Sequence, residues 1–170
     1  MKSIFTVYTI LLVFALVSCK KDKDTIQYSG EYNSSYRAWL DFKGSSGNSY
    51  SYLVTGGSWV GFGTETIITV KEGKIVERSF VLKGFIITTP VYREWKEDES
   101  QLGTHQEGEP LRTLDDVYTE ARNNWLIKRD DAEVFFEAKN NGMISSCGYV
   151  PKNCADDCFR GITIGYIKAL

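Results

Sequence analysis

One histidine, His105, is all the imidazole that this sequence holds. A metal centre built on several histidines is thereby excluded, and His105 is left as the sole imidazole candidate for a general base. The signatures GxSxG, GxxxxGK[ST], GxGxxG and HExxH are all missing, and with them the hydrolase elbow, the phosphate loops and the zinc-protease helix. Neither sign of charge dominates: 20 Lys+Arg stand against 22 Asp+Glu. The two are interspersed, so there is no basic footprint for nucleic acid. No stretch after residue 18 is long and apolar enough to cross a bilayer as a helix.

What is there begins at the N-terminus. Lys2 precedes an apolar run from Ile4 to Val17, broken only by Thr6 and Thr9. That run is short of the roughly 20 residues a spanning helix requires and has the proportions of a cleaved secretory segment, residues 1–18. It ends in LVSCKKDKD, and Leu16, Val17, Ser18 and Cys19 resemble the lipobox of bacterial lipoproteins. The resemblance implies cleavage before Cys19, a diacylglycerol thioether on its sulfur and an acylated amino group, with palmitate-type chains holding the protein on a membrane. The five charged residues Lys20–Asp24 cannot collapse onto a core, so residues 19–30 are expected to be a solvated tether. Similar Lys/Asp segments follow the lipidated cysteine in surface-exposed lipoproteins of Gram-negative bacteria, which points to the outer membrane, on a face the sequence leaves open.

Without residues 1–18, 152 residues remain (170 − 18), and Lys+Arg falls to 19 because Lys2 is lost, for a net charge of −3. That is enough chain for one self-supporting domain, expected over 31–170, with no need of a metal or cofactor for stability. Besides Cys19 there are Cys147, Cys154 and Cys158. Three thiols allow one bridge and one leftover. Cys154 and Cys158 flank a tight three-residue segment that suits a bridge, with Cys147–Cys158 as the competing pairing. Cys147 in MISSCGYV reads as a small buried strand thiol. Asp156 and Asp157 are weaker candidates for calcium oxygens, and as a zinc site the motif lacks a fourth ligand.

Along the mature chain, Tyr32, Tyr36, Trp39 and Leu40 make an apolar stripe on a helix that ends near Gly44. SYSYLVTG alternates with Tyr50, Tyr52 and Val54 on one face and predicts a strand. GGSWVGFG places Trp59 and Phe62 on a bulged strand or a loop. TETIITVKEGKIVERSFVL predicts a hairpin turning at Glu72-Gly73. FIITTPVYREW predicts a strand that Pro90 confines to an edge or a bulge. Residues 97–112 read as an exposed loop. Thr113 is then the N-cap of a helix whose Leu114, Val117, Tyr118, Ala121 and Trp125 share one face. AEVFFEAK, a turn at Asn140-Asn141-Gly142, MISSCGYV and FRGITIGYIKA complete three more strands. The order α-β4-α-β3 predicts an α+β fold, a mainly antiparallel sheet of about seven strands with two helices packed on it.

The residues offer little chemistry. His105 needs a nucleophile and an orienting partner, and only Cys147 presents itself. With 22 acids, a carboxylate pair carries no information. The aromatic residues suit a core, but Trp59, hemmed by glycines, is the ring expected to face a ligand, with Phe62 beside it and the His105 loop as the second candidate region.

The stretches SYSYLVTGGSWVGFGTETIITVKEGKIVERSF, LGTHQEG, TLDDVYTEARNNWL and NNGMISSCGYVPKNCADDCFRGITI resemble an uncharacterised family of bacterial secreted and lipoprotein domains over nearly all of residues 35–168. The resemblance implies an α+β domain with a role in binding or envelope housekeeping and assigns no catalytic residue; the leading expectation is a non-enzymatic domain that binds a protein, peptide or glycan through its sheet face or glycine-rich loop. A small envelope hydrolase or enzyme inhibitor working through His105 and the Cys147–Cys158 region is the alternative.

Overall fold

Two β-branched runs separated by Glu72-Gly73 build the most regular part of the molecule. Both turn residues have positive φ (48° and 80°), the left-handed pair that a two-residue hairpin demands, and the flanking Lys71 and Lys74 face each other. This geometry comes from a computed structural model that describes residues 26–86, 88–156 and 158–170. Cys19 and the charged segment behind it lie outside the described residues.

Helix α1 (Ser29–Ser45) leads into a meander of β1 (Tyr50–Gly57), β2 (Phe62–Lys71), β3 (Lys74–Ile86) and β4 (Thr89–Asp98). A loop then reaches α2 (Leu114–Glu120), which widens into one π turn at Ala121–Trp125. β5 (Ala132–Glu137), β6 (Ser146–Pro151) and β7 (Arg160–Ala169) finish the chain. The strands form one antiparallel sheet in the order β4-β3-β2-β1-β7-β6-β5. The expected α+β architecture with two helices and seven strands is what the chain adopts. Pro90 lies on β4, which is indeed an edge strand.

One sheet face is the core. Tyr50, Tyr52 and Val54 of β1 meet Ile68 and Val70 of β2, Ile162 and Ile164 of β7, and the buried faces of both helices. A tyrosine-rich core remains stable because each phenol finds a partner. The Tyr50 hydroxyl accepts from Leu114 N (2.9 Å), one of the first-turn amides of α2 that no helical carbonyl can serve. Tyr52 donates to Arg112 O (2.6 Å), and Tyr32 to Tyr118 O (3.0 Å). The predicted cap is present: Thr113 Oγ1 accepts from Asp116 N, and the Asp116 carboxylate accepts from Thr113 N.

Two expectations need correction. The buried face of α1 is Tyr32, Ser35 and Trp39, whereas Tyr36 and Leu40 are 36% and 44% exposed. At about 100° per residue the arc facing the sheet is centred between Ser35 and Tyr32, and Tyr36 and Leu40 fall on its flank. Ser35 is accepted there because its hydroxyl bonds the Tyr118 hydroxyl at 2.8 Å. Ordered structure also reaches back before Glu31: Ile26 bridges to Ile127, and α1 starts at Ser29, so residues 26–30 belong to the domain rather than to the tether.

The sheet divides at its middle. β1 pairs with β7 from Tyr50↔Ala169 only as far as Val54↔Ile164, with a bulge before that last pair. Beyond it β1 continues along β2 to Gly57↔Gly63, while β7 continues along β6 to Tyr149↔Arg160.

Candidate binding groove

The site is set up by a buried ion pair. Arg78 on β3 and Glu97 on β4 stand directly opposite each other on the core face, 4% and 0% exposed. Burial of two charges is tolerable only when their remaining donors and acceptors are used. Arg78 Nε and Nη2 donate to the two Glu97 oxygens at 3.0 Å each. The spare donors of Arg78 hold loop carbonyls, His105 O at 2.8 Å and Glu109 O at 3.0 Å. Glu97 in turn accepts from His105 N (2.7 Å) and Gly103 N (3.0 Å). Burial alone would push this carboxyl up, but the Arg78 guanidinium and the two loop amides outweigh it and hold Glu97 well below the usual carboxylate range.

The loop between β4 and α2 is thus tied down across β4, β3 and β2. Its last tie is Glu109 N to Thr66 Oγ1, 3.0 Å. Gly108 beside it has φ of 82°, and a Cβ there would stand 3.0 Å from the Phe80 ring. Glycine is what lets the loop close onto the sheet.

Where the loop ends, a groove of about 690 Å³ opens on the core face, at the end of the sheet that the helices leave uncovered. This volume lies in the ordinary range for ligand sites, roughly 300–1,000 Å³. Val54, Leu82, Phe80 and Ile162 provide apolar surface, and Phe159 stands at the start of β7. Thr64 and Thr66 contribute hydroxyls, Glu107 and Glu109 contribute carboxylates, and Thr55 and Thr163 border the groove from the strands on either side. Glu107 is ion-paired with Arg93. Glu109 Oε1 lies 2.9 Å from Arg112 Nη2, yet it has no aligned hydrogen-bond donor. Burial pushes the Glu109 carboxyl up, with Arg112 drawing it partly back. Burial, and secondarily the charge of Glu109, pushes the neighbouring Tyr52 phenol well up. The polar lining therefore presents acceptors and hydroxyls, and among the described lining residues there is no histidine, cysteine, serine or lysine.

His105 belongs to the loop but faces away from this chemistry. Its ring lies flat on Trp95 (4.4 Å between centroids, 7° between planes), with Nδ1 3.1 Å from Glu97 Oε1. Cys147 is fully buried on β6, where desolvation pushes its thiol up to about 12. β4 and β6 are five strand positions apart in the sheet, on the order of 20 Å. The structure does not bring His105 and Cys147 together. Cys154 and Cys158 are paired, Cα atoms 6.1 Å apart, and Cys147 is free. That bridge closes the connection just before Phe159, fixing one boundary of the groove.

Trp59 is 73% exposed in the turn between β1 and β2, and Phe62 opens β2 half-buried. Neither lines the groove, although Gly57, two residues from Trp59, does. The loop was legible as a candidate region through His105, whereas Glu107 and Glu109 were lost among the acids. Gly56-Gly57 and Gly161, which admit a close neighbour, were the available signal. Compared with models of known protein families, with curated proteins and with solved structures, the chain finds no match in any of the three.

Proposed function

We propose that this chain is a lipid-anchored lipoprotein of the bacterial outer membrane and that its domain is a non-enzymatic binding module for a protein, peptide or glycan. The ligand sits in the groove between Glu109 and Phe159. The observation that carries the binding role is the make-up of that groove: apolar surface, the hydroxyls of Thr64 and Thr66, and the carboxylates of Glu107 and Glu109. Such a lining holds and orients a ligand that donates hydrogen bonds. The anchor rests on the lipobox at Leu16–Cys19. Acyl chains there contribute about 0.8 kcal/mol per buried CH₂, so several together keep the domain at a lipid surface.

Plugging the groove tests this role. Thr64 stands on the core face in line with Thr66 and lines the groove half-buried, so Thr64→Trp fills the space. The detergent-solubilised chain should retain a specific ligand from envelope extract, and Thr64→Trp should lose it while keeping a cooperative unfolding transition. Equal retention by the plugged variant, or turnover of members of a hydrolase substrate panel by the wild-type chain, contradicts the proposal.

A further inference from the structure

The two ends of the sheet differ in what their turns expose. The pairings put the β1–β2, β3–β4 and β6–β7 connections at one end, with the approach to β5 beside them. Turns at the other end use Gly47-Asn48, Glu72-Gly73 and Asn141-Gly142, pairs with positive φ that are mostly glycine and asparagine, the ordinary chemistry of a turn in water. Among the described residues, none of those turns exposes a large apolar side chain. The first end does. Trp59 in the β1–β2 turn is 73% exposed, Phe85 near the end of β3 is 55%, Phe159 before β7 is 40% and Ile127 on the approach to β5 is 37%. Trp59 and Phe85 belong to one bonded unit: Gly61 N donates to Ser58 O at 3.1 Å, and Gly61 O accepts from Phe85 N at 3.1 Å. The turn thus holds an indole out in water.

The chain joins the domain beside this same end. Ile26 bridges to Ile127, and Gln27 N donates to Leu126 O at 2.7 Å. Just beyond, the Arg129 guanidinium lies 4.0 Å from the centre of the Tyr149 ring, and Asp131 O accepts from Lys152 N at 2.8 Å, where β6 runs out into the disulfide loop. From Cys19 to Ile26 is seven residues (26 − 19), which span at most about 25 Å. Seven strands about 4.8 Å apart make the sheet on the order of 30 Å wide. A tether shorter than the domain is wide brings this end, and not the opposite one, to the lipid. We infer that the Trp59–Phe85 end of the sheet docks on the lipid bilayer, with its rings seated among the head groups. This rests on the lipid anchor proposed above. Aromatic rings at that depth bury an apolar body while a polar edge stays wet. The exposed charges around them balance, Lys128, Lys152 and Arg160 against Asp130, Asp131 and Asp156, so the rings and not a basic patch make the contact.

Tryptophan quenching reads the contact. The full chain purified from cell membranes is reconstituted on phosphatidylethanolamine/phosphatidylglycerol vesicles whose acyl chains are plain or brominated, since bromine quenches an indole that reaches it. Of the four tryptophans, Trp39 and Trp125 are buried and Trp95 is stacked against Phe80 and His105, which leaves Trp59 as the reporter. The expected result is a loss of up to about a quarter of the emission in brominated vesicles, the share of one tryptophan in four. Trp59→Ser should sediment with the vesicles as the wild-type chain does and show no such loss. The quenching should be equal at low and high salt, because screening weakens charge contacts and leaves buried rings in place. A chain that sediments with the vesicles yet emits equally in plain and brominated lipid overturns the docking and leaves the anchor standing. A chain that stays off the vesicles overturns both. Quenching that persists in Trp59→Ser, or that disappears at high salt, overturns insertion of the rings. An emission shift that grows with protein density and is the same in plain and brominated vesicles identifies a second copy as what covers Trp59, and overturns the inference as well.

Discussion

Glu97, fully buried, and Glu109, half-buried, are carboxyls of one short loop-and-strand unit with opposite physical fates. Glu97 has every acceptor position answered, so its proton affinity is depressed by folding. A depressed carboxyl contributes stability that is complete above the unfolded-state value near 4.3 and is lost as the pH falls below it, because the unfolded chain then takes up a proton that the folded one refuses. Glu97→Gln should cost on the order of 3 kcal/mol at pH 7, by leaving Arg78 buried without its counter-charge, and should flatten the acid limb of the stability–pH curve. Urea titrations at a series of pH values check both. Glu109 runs the other way. Its raised carboxyl makes folding less favourable above the unfolded-state value, and the penalty vanishes at acid pH where both states are protonated. Glu109→Gln should therefore stabilise the protein at pH 7 by about 1 kcal/mol, roughly 3 °C in melting temperature, with no gain near pH 3. A destabilised variant at pH 7 would show that the Arg112 contact outweighs burial. A residue that weakens the fold where it meets a groove is what a binding role for Glu109 predicts.

At the level of elements, legibility followed how local the signal was. The β2–β3 hairpin was readable because Glu72-Gly73 and its flanking β-branched runs specify a turn without help from the rest of the chain. The face of α2 was readable for the same reason. The face of α1 was not, since Ser35 is buried only because Tyr118 is there to bond it, and no single-helix pattern contains that partner. The groove was illegible for a stronger form of the same reason. It arises where β1 and β7, more than a hundred residues apart in sequence, stop pairing. Capping of α2 is local enough to predict quantitatively. Thr113→Ala removes the side chain that accepts from Asp116 N and should lower the unfolding free energy by about 1 kcal/mol, with an unchanged denaturant slope. A loss indistinguishable from zero would mean that the Tyr50–Leu114 bond alone suffices to start the helix.

For the whole molecule, the fold and the proposed location call on separate parts of the chain. The described residues between 26 and 170 adopt an α+β fold, and none of their helices is long and apolar enough to span a membrane. The proposed association with a lipid surface rests on Cys19, outside the described residues, through the resemblance of LVSC to a lipobox. Intact-mass analysis of the chain purified from cell membranes reads that assignment in one step. The account predicts a polypeptide beginning at Cys19, heavier than its amino acids by a diacylglyceryl group and a third acyl chain. An unmodified polypeptide recovered free in the culture fluid would contradict it.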